Sequence, residues 1–430
     1  MQTARTVLIA GGGIAGLTLA TRLGHSLGRT GKARIVLVDR SPTHVWKPML
    51  HTFAAGTWNV HQQQLHYLAH ARRHHFEYIP GEIDALDTAR RQLGLAPMVV
   101  EGETLIDRRE LTYDALILAV GSQANDFATP GVAEHCRFID SQAEAESFNA
   151  RLRARVVRSV AHDDHLRVAI VGAGATGVEL AAELSRLLEL ASGYGIRDVR
   201  SQLQLTLLEA GPRILGAFPE AVSASTAEQL RHIGVDIRTG VRVVAAEAGG
   251  VVLEGGERVP AELMVWAAGV KAPGFLAGIE GLPRNRVQQV RVHANLQVEG
   301  EPHIFAVGDC ASLMPDGAAR PLPPTAQVAN QQALHLARHF PSWLLKGREL
   351  PDFRYREFGS LVSLSEYNAF GTLGKFGFFR GGFIKGRFAQ LSHALLYRRH
   401  QIELHGLTRS ILLWGAERLS GLVQPRIRLS

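Results

Sequence analysis

The chain has 430 residues, 46% hydrophobic and 20% charged, so a mainly disordered protein is excluded and two or three domains of roughly 100–200 residues are expected. The net charge of +7 is concentrated in residues 371–430, which contain ten basic and two acidic residues. The rest of the chain therefore has a net charge of −1. Only two cysteines are present, Cys136 and Cys310, which excludes a disulfide framework, a CxxC dithiol enzyme and a four-cysteine metal site, and favours a reducing cytosolic environment.

A first glycine-rich loop begins at Gly11, directly after an apolar stretch (6–10) that predicts a buried strand. The loop reads GGGIAG and leads into a helix predicted over 17–23, and a second strand (34–38) ends at Asp39. Strand, G-x-G-x-x-G, helix, strand and terminal acid form the dinucleotide-binding fingerprint, in which the loop receives a pyrophosphate and the acid a ribose. The predicted contacts are Gly11, Gly13, Gly16 and Asp39.

Three histidines, His66, His70 and His74, recur at i, i+4 and i+8 on a predicted helix. No cysteine or carboxylate nearby completes a tetrahedral metal set, so we expect a solvated helix face and no metal site. No Ser-His-Asp or nucleophile-elbow pattern occurs either.

A second glycine-rich loop follows a predicted strand at 167–171, and the following strand (204–208) ends at Glu209. This acid lies 35 residues beyond Gly174, farther than the usual ~20, and the extra residues predict a longer helix and a loop. A carboxylate here favours a free ribose 2′-hydroxyl and therefore NADH over NADPH, although Arg213 is close in sequence. The predicted contacts are Gly172, Gly174, Gly177 and Glu209.

Two such loops predict two dinucleotides, and FAD with NAD(H) is the economical pair because one of them must carry a redox group. Two further predicted strands end at Gly121 and Gly269, where the chain is expected to cross between domains. A third predicted strand ends at Gly308-Asp309, and an aspartate at this position can bond the ribityl chain of a flavin.

The basic C-terminal region has apolar residues at helical spacing. Ile384, Phe388, Leu391 and Leu395 form one stripe, and Leu407, Ile411 and Trp414 form a second. Basic amphipathic helices with aromatic residues suit a membrane interface, although a helix pair that packs on the protein body would show the same pattern. No run of 18 apolar residues occurs, so no bilayer-spanning segment is expected.

Over essentially its whole length the chain resembles the two-dinucleotide-binding flavoprotein reductases and, among these, the bacterial type II NADH dehydrogenases (NADH:quinone oxidoreductases). The motif from Ala326 to Gln331, AQVANQ, matches the AQxAxQ motif that lines the quinone pocket in that family. The segment 44–50, HVWKPML, looks like the family's stretch beside the isoalloxazine, and the tail from Gly386 is similar to the membrane-bound form. The resemblance implies FAD in the first loop, with Gly308-Asp309 returning to it, and NADH in the second.

Four residues are implied to act in the reaction. Gln327 and Gln331 stand one helical turn apart, so both amides can point into one quinone slot, and amides can donate to a carbonyl or accept from a hydroxyl. Pro323-Pro324 and Thr325 predict a rigid entry and an N-cap for their helix. Glu179, near the start of the helix after the second loop, is implied to assist proton delivery or charge balance where nicotinamide meets flavin, and Lys47 to approach flavin or quinone.

The predicted fold is α/β, with two Rossmann-like domains and a C-terminal amphipathic helical membrane-anchoring region. The FAD domain is expected over 1–122 and 271–345, the NADH domain over 123–270 and the membrane region over 346–430. The implied reaction is NADH + H⁺ + quinone → NAD⁺ + quinol, without proton pumping. We expect a peripheral protein on the cytoplasmic face of a bacterial inner membrane, bound to anionic lipid rather than nucleic acid. Ubiquinone is the favoured quinone, and a homodimer is left open.

Three alternatives stay open at this point. A sulfide:quinone oxidoreductase would need a redox pair of cysteines, which the positions of Cys136 and Cys310 disfavour. A soluble ferredoxin-type reductase would need neither the AQxAxQ motif nor the basic tail. A redox-gated binding flavoprotein could use the tail for nucleic acid or lipid, and the aromatic residues on its apolar face favour lipid.

Overall fold

The computed structural model describes residues 4–57, 64–162, 165–193, 203–365, 367–373, 375–376, 379–380, 383–385, 395 and 398–423. Backbone contacts divide the chain into two units. Unit 1 comprises Met1–Trp46, Gln64–Gln123 and Val270–Arg356, and unit 2 comprises Lys47–Gln63, Ala124–Gly269 and Glu357–Ser430. Both units are therefore discontinuous in sequence.

Both units contain α-helices, which are numbered in chain order. Among the described residues they include α1 (Ile14–Leu23), α2 (Leu50–Ala55), α3 (Tyr67–His74), α4 (Val132–His135), α5 (Gln142–His162), α6 (Ala175–Gly193), α7 (Glu220–His232), α8 (Ala326–Lys346) and α9 (Leu407–Val423). Residues 398–405 are also helical. Short 3₁₀ turns occupy Lys47–Met49, Gly274–Gly278 and Gly308–Cys310, and a π-helical turn, Gly24–Gly28, extends α1.

Unit 1 is built on a five-stranded parallel sheet. Its strands, in spatial order, are Ile304–Ala306, Ala115–Leu118, Arg5–Ala10, Ala33–Asp39 and Glu77–Pro80. The apolar residues from Val7 to Ala10 are almost fully buried, as expected for a parallel strand covered on both faces. On one face Phe305 meets Phe340 and Trp343 of α8 edge-to-face, with ring centroids 5.5 and 4.9 Å away. Aromatic packing thus fixes α8 against the sheet edge from which Gly308 emerges.

Smaller sheets complete unit 1. An antiparallel sheet joins Arg109–Thr112, Gln92–Leu95 and Ile83–Asp87, and two-stranded pairs join Thr43–His44 with Leu65–His66, Met98–Val100 with Glu103–Ile106, and Val290–Val292 with Ala311–Leu313. Short strands at Gln123–Ala124 and Val270–Lys271 lie where the chain passes from one unit to the other.

Unit 2 repeats the parallel design. Its main sheet runs Cys136–Arg137, Leu263–Trp266, Leu166–Val171, Leu203–Glu209 and Val235–Thr239 in spatial order. A three-stranded antiparallel sheet contains Val243–Glu247, Gly250–Leu253 and Arg258–Pro260. Buried side chains from the two sheets, among them Val251, Val259, Met264 and Trp266, form one apolar core.

A C-terminal antiparallel sheet also belongs to unit 2. Its strands are Gly359–Leu364, Asn368–Leu373 and Phe383–Lys385, with a small hairpin of Lys375–Phe376 and Phe379–Arg380. The strand Gly359–Leu364 packs against α6, and α2 packs against α5 and α6. These contacts explain why 47–63 and 357–430 group with unit 2, whereas the sequence had suggested the first domain and a separate region.

The strand–loop–helix–strand segments predicted around both glycine-rich loops are confirmed. The sequence also predicted correctly that the helix after the second loop would be long, and α6 reaches Gly193; residues 194–202 lie outside the described part. One prediction for the tail is wrong. Ile384 lies in the strand Phe383–Lys385 and not in a helix, because this stretch pairs with Asn368–Leu373. Phe388 and Leu391 lie outside the described residues, and the second stripe forms α9 as predicted.

Candidate functional site

The first glycine-rich loop combines a tight turn with an open position. Gly11 has φ +100°, and a Cβ there would come within 2.5 Å of the Ala119 carbonyl oxygen. A Cβ at Gly16 would overlap the carbonyl oxygen of Gly11, whereas one at Gly13 would meet no protein atom within 4 Å. The outer glycines therefore permit the backbone packing, and the middle one leaves space beside the N-terminus of α1 for a ligand.

Asp39 ties the strand end to this loop. Its Oδ2 accepts from the Gly12 N–H at 2.6 Å and its Oδ1 from the Ser41 N–H at 2.7 Å. Burial raises the pKa of Asp39, and the two backbone N–H groups oppose that rise. The carboxyl is thus held at the loop, where a ribose hydroxyl would compete for its oxygens.

Gly308 and Asp309 also lie in unit 1, after the strand Ile304–Ala306. The Gly308 N–H donates to Gln332 Oε1 at 2.7 Å, and Ser122 Oγ donates to Asp309 Oδ2 at 2.8 Å. Gln289 Nε2 donates to the Asp309 carbonyl oxygen at 2.9 Å. The turn is therefore anchored by side chains from three other segments, and the hydroxyl of Ser122, next to Gly121, orients the Asp309 carboxylate.

The second glycine-rich loop has the same geometry as the first. Gly172 has φ +100°, and a Cβ there would lie 2.7 Å from Ala268 Cα. A Cβ at Gly177 would overlap the Gly172 carbonyl oxygen, and one at Gly174 would meet nothing within 4 Å. The middle position again leaves room above a helix N-terminus. Gly269, which closes the strand Leu263–Trp266, has φ +68° beside Phe127.

Glu209 repeats the role of the strand-end acid. One carboxylate oxygen accepts from the Ala173 N–H and the other from the Gly211 N–H, both at 2.8 Å. The Arg213 guanidinium donates to the carbonyl oxygens of Leu215 and Gly216 at 3.2 and 2.9 Å. Arg213 is thus engaged by its own loop, and Glu209 is the charged group held at the glycine-rich turn.

The two glutamines of the AQxAxQ motif lie on the first turns of α8. Thr325 caps this helix as predicted, its Oγ1 accepting from the Val328 N–H at 3.2 Å. Tyr355 Oη donates to Gln327 Oε1 at 2.6 Å. Gln331 bonds the Arg356 backbone twice, donating to its oxygen at 2.8 Å and accepting from its N–H at 3.0 Å. Both amides contact the segment 355–356, and Gln331 fixes the backbone there; the shared quinone slot stays a prediction.

Glu179 is buried in unit 2 and is the fifth residue of α6. Its Oε1 accepts from the Ser363 N–H at 3.1 Å, and its Oε2 lies 3.5 Å from His51 Nδ1. Burial raises the pKa of Glu179 to about 8; the Ser363 N–H opposes the rise and the nearby Glu183 carboxylate adds to it. The side chain can therefore carry a proton near neutral pH.

Lys47 lies at the start of a 3₁₀ turn in unit 2. Its Nζ is 3.4 Å from Asp140 Oδ1, and the lysine side chain is 44% exposed. The ion pair ties the segment before α2 to the segment before α5. Contact between Lys47 and a flavin or quinone stays a prediction.

The prediction of a solvated histidine face is wrong at His70. This side chain is only 3% exposed, and its Nε2 lies 2.9 Å from Thr21 Oγ1, because α3 packs against α1. His74 contacts His25, with ring nitrogens 2.7 Å apart, whereas His66 is exposed. Within the described part of the chain no cluster of three potential metal ligands occurs.

Both cysteines are buried free thiols in separate units. Cys136 lies in a strand of the unit 2 sheet, and Cys310 lies in the 3₁₀ turn that begins at Gly308 in unit 1. Burial raises the pKa of each thiol to about 12. Neutral buried thiols are poor nucleophiles, which argues against a sulfide-oxidising cysteine pair.

Three site residues were not identified from the sequence. His51 reaches Glu179 from α2, Tyr355 reaches Gln327, and Gln332 is 1% exposed and accepts from Gly308. Gln332 adjoins the recognised motif, so the third glutamine was a readable signal. His51 and Tyr355 lie far from their partners in sequence, so no local sequence signal indicated their contacts.

Comparison with known proteins is consistent with this geometry. Residues 5–333 match the family model described as pyridine nucleotide-disulphide oxidoreductase. The chain is 37% identical, over 99% of its length and 100% of the relative's, to a type II NADH:quinone oxidoreductase of Haemophilus influenzae. It is 30% identical to one of Staphylococcus epidermidis, over 86% of this chain and 90% of the other. The fold is similar to that of NDH2 from Plasmodium falciparum in complex with NADH, with TM-score 0.84, 18% identity and 99% of each chain covered.

Proposed function

The chain belongs to the type II NADH:quinone oxidoreductases, within the pyridine nucleotide-disulphide oxidoreductase family, and from this premise we propose how its residues share the reaction. It is a flavoenzyme that transfers electrons from NADH to a quinone, with FAD as cofactor. FAD, when bound, supplies the redox chemistry between the two-electron donor and the quinone. The residues of the chain bind and orient FAD, NADH and the quinone, and they exchange protons.

FAD is held by unit 1. The open position at Gly13 and the anchored carboxyl of Asp39 fit a pyrophosphate and an adenosine ribose. Asp309, oriented by Ser122, would accept from a ribityl hydroxyl, with Gly121 and Gly308 giving the flavin close access to the backbone.

NADH is held by unit 2. Gly172, Gly174 and Gly177 form the phosphate cradle, and Glu209 accepts from the ribose hydroxyls. A 2′-phosphate would be repelled by this carboxylate, so NADH is preferred over NADPH. The duplicated cradle is the single observation that carries the assignment, because no one-nucleotide enzyme needs it.

Gln327 binds the quinone. The Tyr355 hydroxyl occupies Gln327 Oε1, which orients the amide so that its nitrogen is the donor toward a quinone carbonyl. The Thr325 cap fixes the start of α8 at Ala326, and the Gln331–Arg356 bonds fix the adjoining segment. We expect Gln327→Leu to raise the KM for quinone about tenfold or more with little change in the KM for NADH. Gln297→Leu, a half-buried glutamine bonded to Pro302 in the same unit, is the matched control.

Glu179 supplies a proton during turnover, since quinol formation takes up one proton besides the hydride equivalent. Its raised pKa keeps it protonated near neutral pH. Lys47 lies within the segment 44–50, is paired with Asp140 and is proposed to approach flavin or quinone.

The membrane is the proposed site of action, because the acceptor is lipid-soluble. Helix α9 exposes Leu407, Ile411, Leu412 and Leu419 to between 53% and 72%, in a strongly basic region. Such a helix fits the interface of an anionic bilayer, as expected of a peripheral protein on the cytoplasmic face of a bacterial inner membrane. The helices of the described residues include none that could cross a membrane. Membrane ubiquinone is the proposed acceptor.

Point variants test the membrane proposal better than removal of 371–430, which would cut through the strand Asn368–Leu373. Leu412→Glu with Leu419→Glu should reduce binding to anionic vesicles about tenfold without loss of FAD, because both side chains are exposed. Leu105→Glu, a 56% exposed leucine of unit 1, is the control. Unchanged vesicle binding by the α9 variant would rule out the helix as the anchor.

The decisive assay is NADH oxidation by the FAD-loaded, detergent-solubilised protein with and without a short-chain ubiquinone, with NADPH in parallel. We expect NADH to be oxidised rapidly only when the quinone is present, and NADPH to be oxidised much more slowly. Flavin bleaching without quinone turnover would contradict the quinone assignment, and the absence of bleaching would contradict the assignment of the second cradle.

A further inference from the structure

The segment 50–57 makes two side-chain contacts with α6, one helical turn apart. His51 Nδ1 lies 3.5 Å from Glu179 Oε2, and Thr57 Oγ1 donates to Glu183 Oε2 at 2.5 Å. The two glutamates are at i and i+4 on α6, so they face the same way. The segment 50–57 is therefore registered against α6 by its polar side chains as well as by apolar packing.

The backbone of this segment is itself held in place. Gly56 ends α2 with φ +75°, and its N–H donates to the Phe53 carbonyl oxygen at 3.0 Å. Asn149 Nδ2 of α5 donates to the Ala54 carbonyl oxygen at 3.1 Å. His51 thus reaches Glu179 from a short helix fixed at its C-terminal end, and its position is not an accident of a free loop.

Both members of the His51–Glu179 pair are removed from water. Their side chains are 5% and 11% exposed, respectively. An imidazole and a carboxyl at this separation in a poorly solvated site interact far more strongly than they would in water. Each favours the charged form of the other, so they exchange protons as a coupled pair with shared titration steps.

The remaining groups around Glu179 can be named for each element packed on α6. Glu183 on α6 itself is acidic, and Thr57 donates to it. The strand Gly359–Leu364 offers the Ser363 N–H and contains no titratable side chain. The strands Leu166–Val171 and Leu203–Glu209 carry Arg167, which is paired with Glu262, and Glu209, which bonds the second loop. Among these described elements, His51 is the group within 4 Å that can become cationic beside Glu179.

We propose that His51 is a positioning residue for Glu179, holding its carboxyl in one orientation and sharing its exchangeable proton. The pair can hold one proton with no net charge, either as imidazole and carboxylic acid or as imidazolium and carboxylate. Loss of that proton leaves a net charge of −1, and uptake of a proton from water restores the neutral pair. Because the imidazolium–carboxylate form gives this proton a second place to reside, His51 raises the pH at which the pair loses it and keeps the pair protonated at the working pH. This inference rests on the proposed role of Glu179.

The sign of the effect follows from the coupling. Removing the imidazole removes the imidazolium–carboxylate form of the protonated pair, so the last proton should be lost at a lower pH. His51→Asn retains a polar group close to the Nδ1 position but cannot hold a proton, whereas His51→Ala removes both properties. In His51→Asn we expect the alkaline loss of activity to move downward by about one pH unit with little change in kcat at low pH. In His51→Ala the same shift should accompany a severalfold fall in kcat.

The measurement has two readouts on the FAD-loaded full chain. One is the pH profile of kcat with NADH and a short-chain ubiquinone. The other is the infrared carbonyl band of the protonated Glu179 carboxyl, assigned by its loss in Glu179→Gln and followed against pH without turnover. His70→Gln is the matched control, because His70 is an equally buried imidazole bonded to Thr21 in unit 1. It should move neither midpoint.

Each outcome decides the matter. An alkaline midpoint of the infrared band that falls in both His51 variants, together with a lower pH for the loss of activity, supports the pair. An unchanged midpoint with lower activity at every pH would reduce His51 to a structural part and overturn the inference. If Glu179→Gln keeps the activity and pH profile of the wild type, the proposed function of Glu179 fails, while the infrared midpoint still reports whether His51 and Glu179 share a proton.

Discussion

Replacing the glycines of the second loop separates their structural role from their binding role. Gly177→Ala would place a Cβ against the Gly172 carbonyl oxygen, whereas Gly174→Ala would place one in a space without protein atoms within 4 Å. The two substitutions add the same methyl group three residues apart. They should nevertheless have opposite effects on folding and on NADH binding.

The magnitudes follow from what each methyl group meets. In Gly177→Ala two backbone segments must shift, which costs about 1–3 kcal/mol as in other overpacked sites. For a unit of this size that corresponds to a fall in Tm of roughly 2–12 °C. In Gly174→Ala the backbone is outside the left-handed region and no clash arises, so stability should change by less than ~0.5 kcal/mol. The methyl group fills the approach of the pyrophosphate, and the KM for NADH should rise about tenfold or more.

The assay combines thermal unfolding of the FAD-loaded protein with steady-state KM values at saturating quinone. Gly13→Ala supplies the control in the first loop, where the equivalent position is also open, and it should reduce FAD retention without destabilising the fold by clash. The reasoning would be refuted if Gly174→Ala lowered the Tm as far as Gly177→Ala while leaving the KM for NADH unchanged.

Three further predictions concern the acidic residues. Glu209→Gln should raise the ratio of kcat/KM for NADPH over NADH about tenfold, because the repulsion of a 2′-phosphate and a charged acceptor are both lost; an unchanged ratio would place specificity elsewhere. Asp309→Asn should weaken FAD retention on gel filtration by severalfold while Ser122→Ala has a smaller effect, and equal FAD content in both would contradict the ribityl assignment. For Glu179 the unfolded chain ionises near 4.5 and the folded chain near 8, so the free energy of unfolding should fall as pH rises between these values. Glu179→Gln should flatten that fall in denaturant titrations, and an unaltered pH dependence would disprove the raised pKa.

Local sequence was sufficient for the two cradles. In each, a buried strand, a turn that needs glycine and a helix follow one another directly, and the strand-end acid lies on the next strand. Asp39 and Glu209 both bond the second residue of their loops, Gly12 and Ala173, because parallel neighbouring strands bring their carboxyl ends together. The capping role of Thr325 was equally local, since an N-cap depends on residues within one turn.

Sequence patterns were less reliable where the spacing of a few apolar or polar residues had to predict secondary structure or burial. The apolar spacing around Ile384 suggested a helix, yet pairing with Asn368–Leu373 made it a strand. His70 was expected on a solvated helix face, but packing against α1 buried it beside Thr21. In both cases tertiary contacts outweighed a weak local preference.

The pairs that give the site its chemistry were decided by tertiary structure alone. His51 and Glu179 are 128 residues apart, and Tyr355 and Gln327 are 28 apart. No local rule links such positions, because their proximity depends on how α2 packs against α6 and how the chain after α8 returns to its start. The sequence by itself determined which two loops can bind a dinucleotide, since this depends on glycines that avoid steric clashes within a few residues. Tertiary structure decided the pKa of Glu179 and placed His51 beside it, since water is excluded from this side chain only when distant segments of the chain pack together.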